Sequence, residues 1–120
     1  MKKLQVSLAA LLAVVLVASL SACGSSKLSM DNVTAIIDTR TAEAFNASHI
    51  VGAVNIDYTL GDFIVTVVAI KKVGTFYVYG ETAEQAGKAV EDMNDLGYPN
   101  VVNLGTLEDA KVVLPLGVTP

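Results

Sequence analysis

The stretch GETAEQ, residues 80–85, stands where a reacting group would be presented. An apolar run at residues 75–79 stops at Gly80, a short polar loop follows, and an apolar pattern at helical spacing begins near Ala83. A strand that feeds a helix through such a loop points backbone N–H groups at one spot, which suits an anion or a reactive group. The first loop position, Gly80, has no side chain to react, and Glu81, Thr82, Ala83, Glu84 and Gln85 follow it. Thr82 has no adjacent base to turn its hydroxyl into a nucleophile. Glu81 and Glu84 would suit a cation or an amine. The same residues also read as a helix start. Thr82 and Gln85 are spaced as a capping box, with the Thr82 hydroxyl accepting from the Gln85 N–H and the Gln85 amide reaching back to Thr82. Glu84, in the first turn, faces the positive end of the helix dipole. The capping reading is the simpler one.

Other reactive residue types are few. Cys23 is the only cysteine and His49 the only histidine. The cysteine and histidine spacings of zinc sites are absent, so no metal and no cofactor is expected. Asp38 and Arg40 follow an apolar run and could face a ligand. In an α/β fold such residues more often hold neighbouring loops by hydrogen bonds and charge, and that reading is favoured. His49 could carry a proton; without a named partner it reads as fixing the loop before Gly52.

The chain has 120 residues, enough for one domain. Lys2 and Lys3 precede an apolar run at residues 4–20, and Leu20, Ser21, Ala22 and Cys23 close it. A basic start, an apolar middle and small residues at the end describe a secretory signal peptide over residues 1–22. A membrane span needs about 20 apolar residues, and this run is shorter and broken by Gln5, Ser7 and Ser19. LSAC resembles a bacterial lipobox, in which the cysteine is acylated and becomes the first mature residue. Cys23 is therefore expected to carry lipid, and residues 23–30 to tether the domain to a membrane. Acylation also gives a use to a lone thiol that an oxidising compartment would otherwise attack. The expected location is the cell envelope, reached by export across the cytoplasmic membrane. Gly24 lacks the aspartate associated with inner-membrane retention, which points to an outer membrane where the cell has one.

The formal charge is −4, and removal of Lys2 and Lys3 takes it two units lower. Nucleic acid needs a basic patch to neutralise its phosphates, so no nucleic-acid partner is expected. Residues 33–38, VTAIID, read as a buried strand. Thr41 caps a short helix containing Glu43, Ala44 and Phe45. Residues 53–56 form a second strand. Residues 60–73 are ambiguous: their β-branched content favours a strand, and their position between two strands favours a helix, which is the assignment adopted. Residues 76–79 form a third strand, followed by a helix over residues 83–96 with Ala83, Ala86, Val90, Met93 and Leu96 as its buried face. Gly97 and Pro99 end that helix. Residues 101–104 form a fourth strand, and a short helix starts at Leu107. The apolar, Pro-broken tail packs on the domain or frays. Strands alternating with helices imply an α/β fold with a parallel sheet between helices. Ligands bind such sheets at the carboxyl ends of the strands, where Asp38 and Gly80 lie.

The stretch AIIDTRTAEAFNASHIVGAVNI, residues 35–56, resembles the N-terminal signature of rhodanese domains. The matching features are Asp38-Thr39-Arg40, Glu43 and Phe45, His49-Ile50, Gly52-Ala53 and Asn55-Ile56. Residues 76–110 resemble the strand, active-site loop, helix and late glycine motif of the same family. The resemblance implies a single rhodanese-like domain over residues 31–120, with a mostly parallel sheet flanked by helices. Sulfurtransferases of the family carry a cysteine at the first loop position, which takes up sulfane sulfur as a persulfide. The resemblance places Gly80 there. It places Gln85 at a position often held by arginine, and it reduces the late glycine pair to Gly105-Thr106. Sulfur transfer needs a thiolate, and Glu81 and Glu84 would repel thiosulfate or a persulfide. The expected function is a catalytically inactive, lipid-anchored binding or interaction module, its partner a protein or small molecule yet to be identified. The alternative is an enzyme of non-cysteine chemistry at residues 80–85.

Overall fold

The structure is a computed structural model that describes residues 27–120. Residues 1–22, read above as a signal peptide, Cys23, read as the lipid site, and residues 24–26 lie outside the described residues.

Four strands form one parallel sheet in the order β3-β1-β4-β5. They are β1 (Val33–Asp38), β3 (Val54–Asn55), β4 (Thr75–Gly80) and β5 (Val101–Thr106). β1 pairs with β3 and β4, and β4 with β5, all in parallel. Parallel strands need crossovers that place helices on both faces. That is why β4 is buried from Phe76 to Gly80 rather than alternating. Side chains of successive residues point to opposite faces, so the core divides in two. Ile37, Phe76 and Val78 pack with Phe63, Val67, Ala86, Ala89 and Met93 on one face. Ile36, Tyr77 and Tyr79 pack with Ile50, Leu104, Ala110 and Leu114 on the other.

Helix α1 (Ala42–Ala47) is capped by Thr41, whose side chain accepts from Ala44 N–H at 3.2 Å. Helix α3 (Ala83–Asp95) starts at Thr82 and stops before Gly97, whose φ of 93° suits a residue without a Cβ. Its buried face differs from the expected one in detail. Ala83 is exposed at the helix mouth, and Ala89 is fully buried beside Ala86 and Met93. Helix α4 (Leu107–Val113) opens with a full capping box that joins Thr106 and Asp109.

Residues 60–73 are only partly helical. A 3-10 turn (Tyr58–Leu60) precedes α2 (Phe63–Val67), and the rest is turn and coil. Only Phe63 and Val67 of α2 are buried, so the β-branched residues between them have no sheet to join. The Tyr98 hydroxyl lies 2.6 Å from Val67 O, which also accepts from Ile70 N–H, and 2.8 Å from Ile70 O, so it ties the turn after α2 to the end of α3. Tyr98→Phe should therefore cost about 1–3 kcal/mol. Urea unfolding would read it as a lower midpoint at an unchanged slope.

The tail is packed rather than frayed. Strand β6 (Val118–Thr119) pairs antiparallel with β2 (His49–Ile50), and Leu114 is buried. Leu28 and Met30, read as tether, also pack against the second core cluster. Among the described residues no helix is long and apolar enough to cross a membrane.

Candidate functional site

The carboxyl ends of β1, β4 and β5 open onto a cleft of about 340 Å³ lined by Arg40, Gly80, Glu81, Thr106, Leu107 and Glu108. Each strand delivers its contribution through a specific local feature.

β1 ends in Asp38, Thr39 and Arg40, all buried despite their polarity. Burying a charge is costly unless it is paired and hydrogen-bonded. Here Arg40 Nε and Nη2 donate to the Asp38 carboxylate at 3.0 and 2.7 Å, and the Arg40 backbone N–H donates to Asp38 Oδ1 at 2.9 Å. Arg40 Nη2 also donates to Ser48 O at 2.6 Å. The hydrogen bond to Asp38 raises the Arg40 pKa above its ordinary value, so the guanidinium stays charged. Asn55 Nδ2 donates to Asp38 O and Arg40 O, stitching β3 to the same turn. Arg40 Nη1 makes no hydrogen bond among the described residues, and the residue lines the cleft.

The Arg40 guanidinium also lies 5.6 Å from the centre of the Tyr79 ring. The Tyr79 hydroxyl accepts from Ile50 N–H at 3.0 Å and is fully buried. Burial raises its pKa well above the ordinary tyrosine value. Burial also raises the Tyr98 pKa. A raised folded pKa contributes stability that is complete below the unfolded value, about 10, and is lost as pH rises through the folded value. Denaturant midpoints should thus fall steeply above about pH 10. Tyr79→Phe should lower the midpoint at pH 8 and flatten the alkaline slope; an unchanged slope would contradict the assignment.

β4 ends at Gly80, and the loop to α3 is folded back on it. A Cβ at Gly80 would lie 2.6 Å from Thr39 Oγ1, 2.8 Å from Gln85 Oε1 and 3.3 Å from Ala86 N. The space in front of Gly80 is thus filled. Thr82 Oγ1 accepts from Gln85 N–H at 3.0 Å, as the capping pattern requires. The return bond differs from expectation: Gln85 Oε1 accepts from Glu81 N–H at 3.0 Å, not from Thr82. That donor fixes the amide orientation, because only the oxygen can accept. The Thr39 hydroxyl donates to Tyr79 O at 3.0 Å with Gln85 Oε1 at 3.3 Å. The loop amide of Glu81 is therefore already occupied.

β5 reaches the cleft through a bulge. Val78 pairs with Asn103 and Tyr79 with Gly105, leaving Leu104 extra. Gly105 has φ 84°, and a Cβ there would meet the Asp109 carboxylate. This swings Thr106 and α4 over the cleft and brings Glu108 to its wall.

Of the residues marked in the sequence, Arg40, Gly80 and Glu81 come together at the cleft, and Gln85 touches it through Glu81 and the space before Gly80. Thr82, Ala83 and Glu84 are exposed at the start of α3 and do not line the cleft. The second carboxylate is Glu108 instead. Its signal was the T-x-x-D cap at Thr106, which fixes where α4 begins. His49 lies in β2, its ring stacked on Phe45 at 3.6 Å and its Nδ1 2.8 Å from Phe45 O. It does not line the cleft. Among the described residues no group of three or more histidine, cysteine, aspartate and glutamate side chains is placed to hold a metal.

Comparison with known proteins agrees with this geometry. Residues 25–106 match the family described as Rhodanese-like domain. The chain is 36% identical over 74 residues to Thiosulfate sulfurtransferase PspE of Escherichia coli K12, covering 61% of this chain and 70% of that protein. Among solved structures, an E. coli "rhodanese with anions" aligns at 31% identity and a TM-score of 0.57, covering 71% of this chain and 95% of the other. The Rhodanese_3 like domain of the Anabaena Alr3790 protein aligns at 27% identity and a TM-score of 0.63, covering 72% and 98%.

Proposed function

The chain belongs to the Rhodanese-like domain family, and on that premise we propose that it is a catalytically inactive, lipid-anchored binding module of the bacterial cell envelope. The observation that carries the inactive part is the filled space in front of Gly80. The resemblance puts a sulfur-accepting cysteine at this position, and here Thr39 Oγ1 and Gln85 Oε1 stand where its side chain would begin. Gln85 also takes the Glu81 N–H, a donor that would otherwise face an anion. Sulfane sulfur has neither an acceptor thiolate nor that loop donor.

The cleft favours a ligand of mixed charge. Arg40, whose Nη1 makes no hydrogen bond among the described residues, lines the cleft together with the exposed Glu81 and Glu108. Thiosulfate would meet repulsion from the Glu81 carboxylate, whereas Glu108 is already paired with Lys111 at 3.1 Å. A small zwitterion would place its acid on Arg40 and its ammonium on Glu81. The anchoring part rests on the lipobox-like LSAC ahead of Gly24.

A thiosulfate titration followed at the Glu81 amide by NMR tests the reading. No saturable shift is expected. A saturable shift at Glu81, with release of the Gln85 bond, would overturn it. Cys23→Ser should move the protein from the membrane fraction to the soluble one; retention in the membrane would overturn the anchor.

A further inference from the structure

Two apolar surfaces are exposed on opposite layers of the domain. One is built on the turn before α2 and on α2 itself, where Leu60, Ile64, Val65 and Val68 are 71, 47, 75 and 48% exposed. The other surrounds the end of α4, where Val112 is 69% exposed, with Val51 and Val118 at 46 and 43% beside the β2–β6 pair. Phe63 and Val67 of α2 pack in the first core cluster, whereas Ala110 of α4 and Ile50 of β2 pack in the second, so the sheet separates the two surfaces.

We propose that the acylated protein lies on the lipid bilayer through the second surface, with Val112, Val51 and Val118 as its apolar contacts. The proposal rests on the reading of Cys23 as the lipid anchor. The larger surface is the obvious candidate, and chain length rules against it. Only Gly24, Ser25 and Ser26 separate Cys23 from Lys27. A fully extended chain spans at most about 3.6 Å per residue, so the two Cα atoms are held within about 14 Å. Lys27 is fastened to the end of α4: its Nζ donates to Val112 O at 2.7 Å, and Leu28 N–H donates to Val113 O at 2.8 Å. Leu28 and Met30 then pack into the second cluster. The anchored lipid must therefore enter the bilayer close to Val112.

To reach the bilayer from the α2 side, the chain would have to cross a helix layer, the sheet and a second helix layer. Each helix layer is about 10 Å thick with its side chains, so the two layers together exceed the reach of the tether even without the sheet. The charges next to Val112 agree with a lipid-facing side. Lys27 and Lys111 flank it, and Lys111 carries its own counter-ion in Glu108 at 3.1 Å, one turn back. Lysine stems lie along apolar surface while the ammonium stays at the headgroups.

Single cysteines report the orientation, because acylation leaves no other free thiol in the chain. Val112→Cys and Val65→Cys proteins would be purified with their acyl chains, confirmed by intact mass, and labelled with a polarity-sensitive fluorophore. Both positions are exposed, so the label perturbs no core contact. Each protein would be placed in phosphatidylcholine vesicles containing lipids brominated on their acyl chains. The expected result is several-fold stronger quenching at position 112 than at 65. Stronger quenching at 65, equal quenching, or none at either overturns the orientation and leaves the anchor standing. A mass without acyl chains overturns the anchor and the orientation together.

Discussion

Gly80→Cys alone should give a protein that transfers no sulfur and is less stable than the parent by about 1–3 kcal/mol, the usual cost of forcing atoms into filled space. The new Cβ would press on Thr39 Oγ1 and Gln85 Oε1 at 2.6 and 2.8 Å. Gln85 can swing away at its far end, but only by giving up the Glu81 N–H. Thr39 is fully buried and bonded to Tyr79 O, so it yields less readily. Removing both obstacles should change the outcome. Gly80→Cys with Gln85→Ala and Thr39→Ala should recover stability relative to the single variant and show measurable thiosulfate-to-cyanide transfer. The new thiol would then sit at the start of α3, where the helix dipole lowers a thiol pKa. The family scaffold would supply the pocket and the two side chains would account for its closure. Transfer by the single variant at the rate of the triple would show that Gln85 and Thr39 obstruct nothing.

Asp38→Ala should be the most destabilising single change in the site, at about 3–5 kcal/mol. It leaves the Arg40 guanidinium buried without its carboxylate and removes the acceptor of the Arg40 backbone N–H. A domain of this size holds about 5–15 kcal/mol in total, so much of the protein would be unfolded at modest temperature. The interaction is a pair property. Asp38→Leu combined with Arg40→Met removes both charges and should be milder than Asp38→Ala, although Ser48 O and the residue-40 N–H each still lose a partner. A double-mutant cycle by urea unfolding separates the two effects. Additive costs would mean that the pair is no unit.

Much of this architecture is readable from local patterns. VTAIID and FYVY announce strands, and these are buried over Ile36–Asp38 and Phe76–Tyr79, where both faces of the parallel sheet are covered. Thr41, Thr82 and Gly97 mark helix ends because capping is local chemistry. What escaped was set by distant partners. β2 and β6 are two residues each and exist only through pairing 68 residues apart, at Ile50 and Val118. Residues 60–73 carry no clear period, since only Phe63 and Val67 of α2 reach the core. In the site, Gly80 and Glu81 were legible from the strand-loop-helix pattern. Glu108 was not, because its arrival depends on the bulge at Leu104 and the cap at Thr106. The capping spacing located Gln85, but its side chain reached one residue further back, drawn by the free Glu81 N–H. A spacing rule locates a cap; the neighbouring geometry decides which donor it takes.

The central claim is that this rhodanese-like domain has lost sulfur transfer at the loop itself. Thiosulfate-to-cyanide transfer by the wild-type protein, measured as thiocyanate formed above the protein-free rate, tests it most directly. The expected result is no turnover at any thiosulfate concentration, with Cys23 present or replaced by serine. Saturable turnover by the wild type, surviving Cys23→Ser, would contradict the claim and make residues 80–85 a working site.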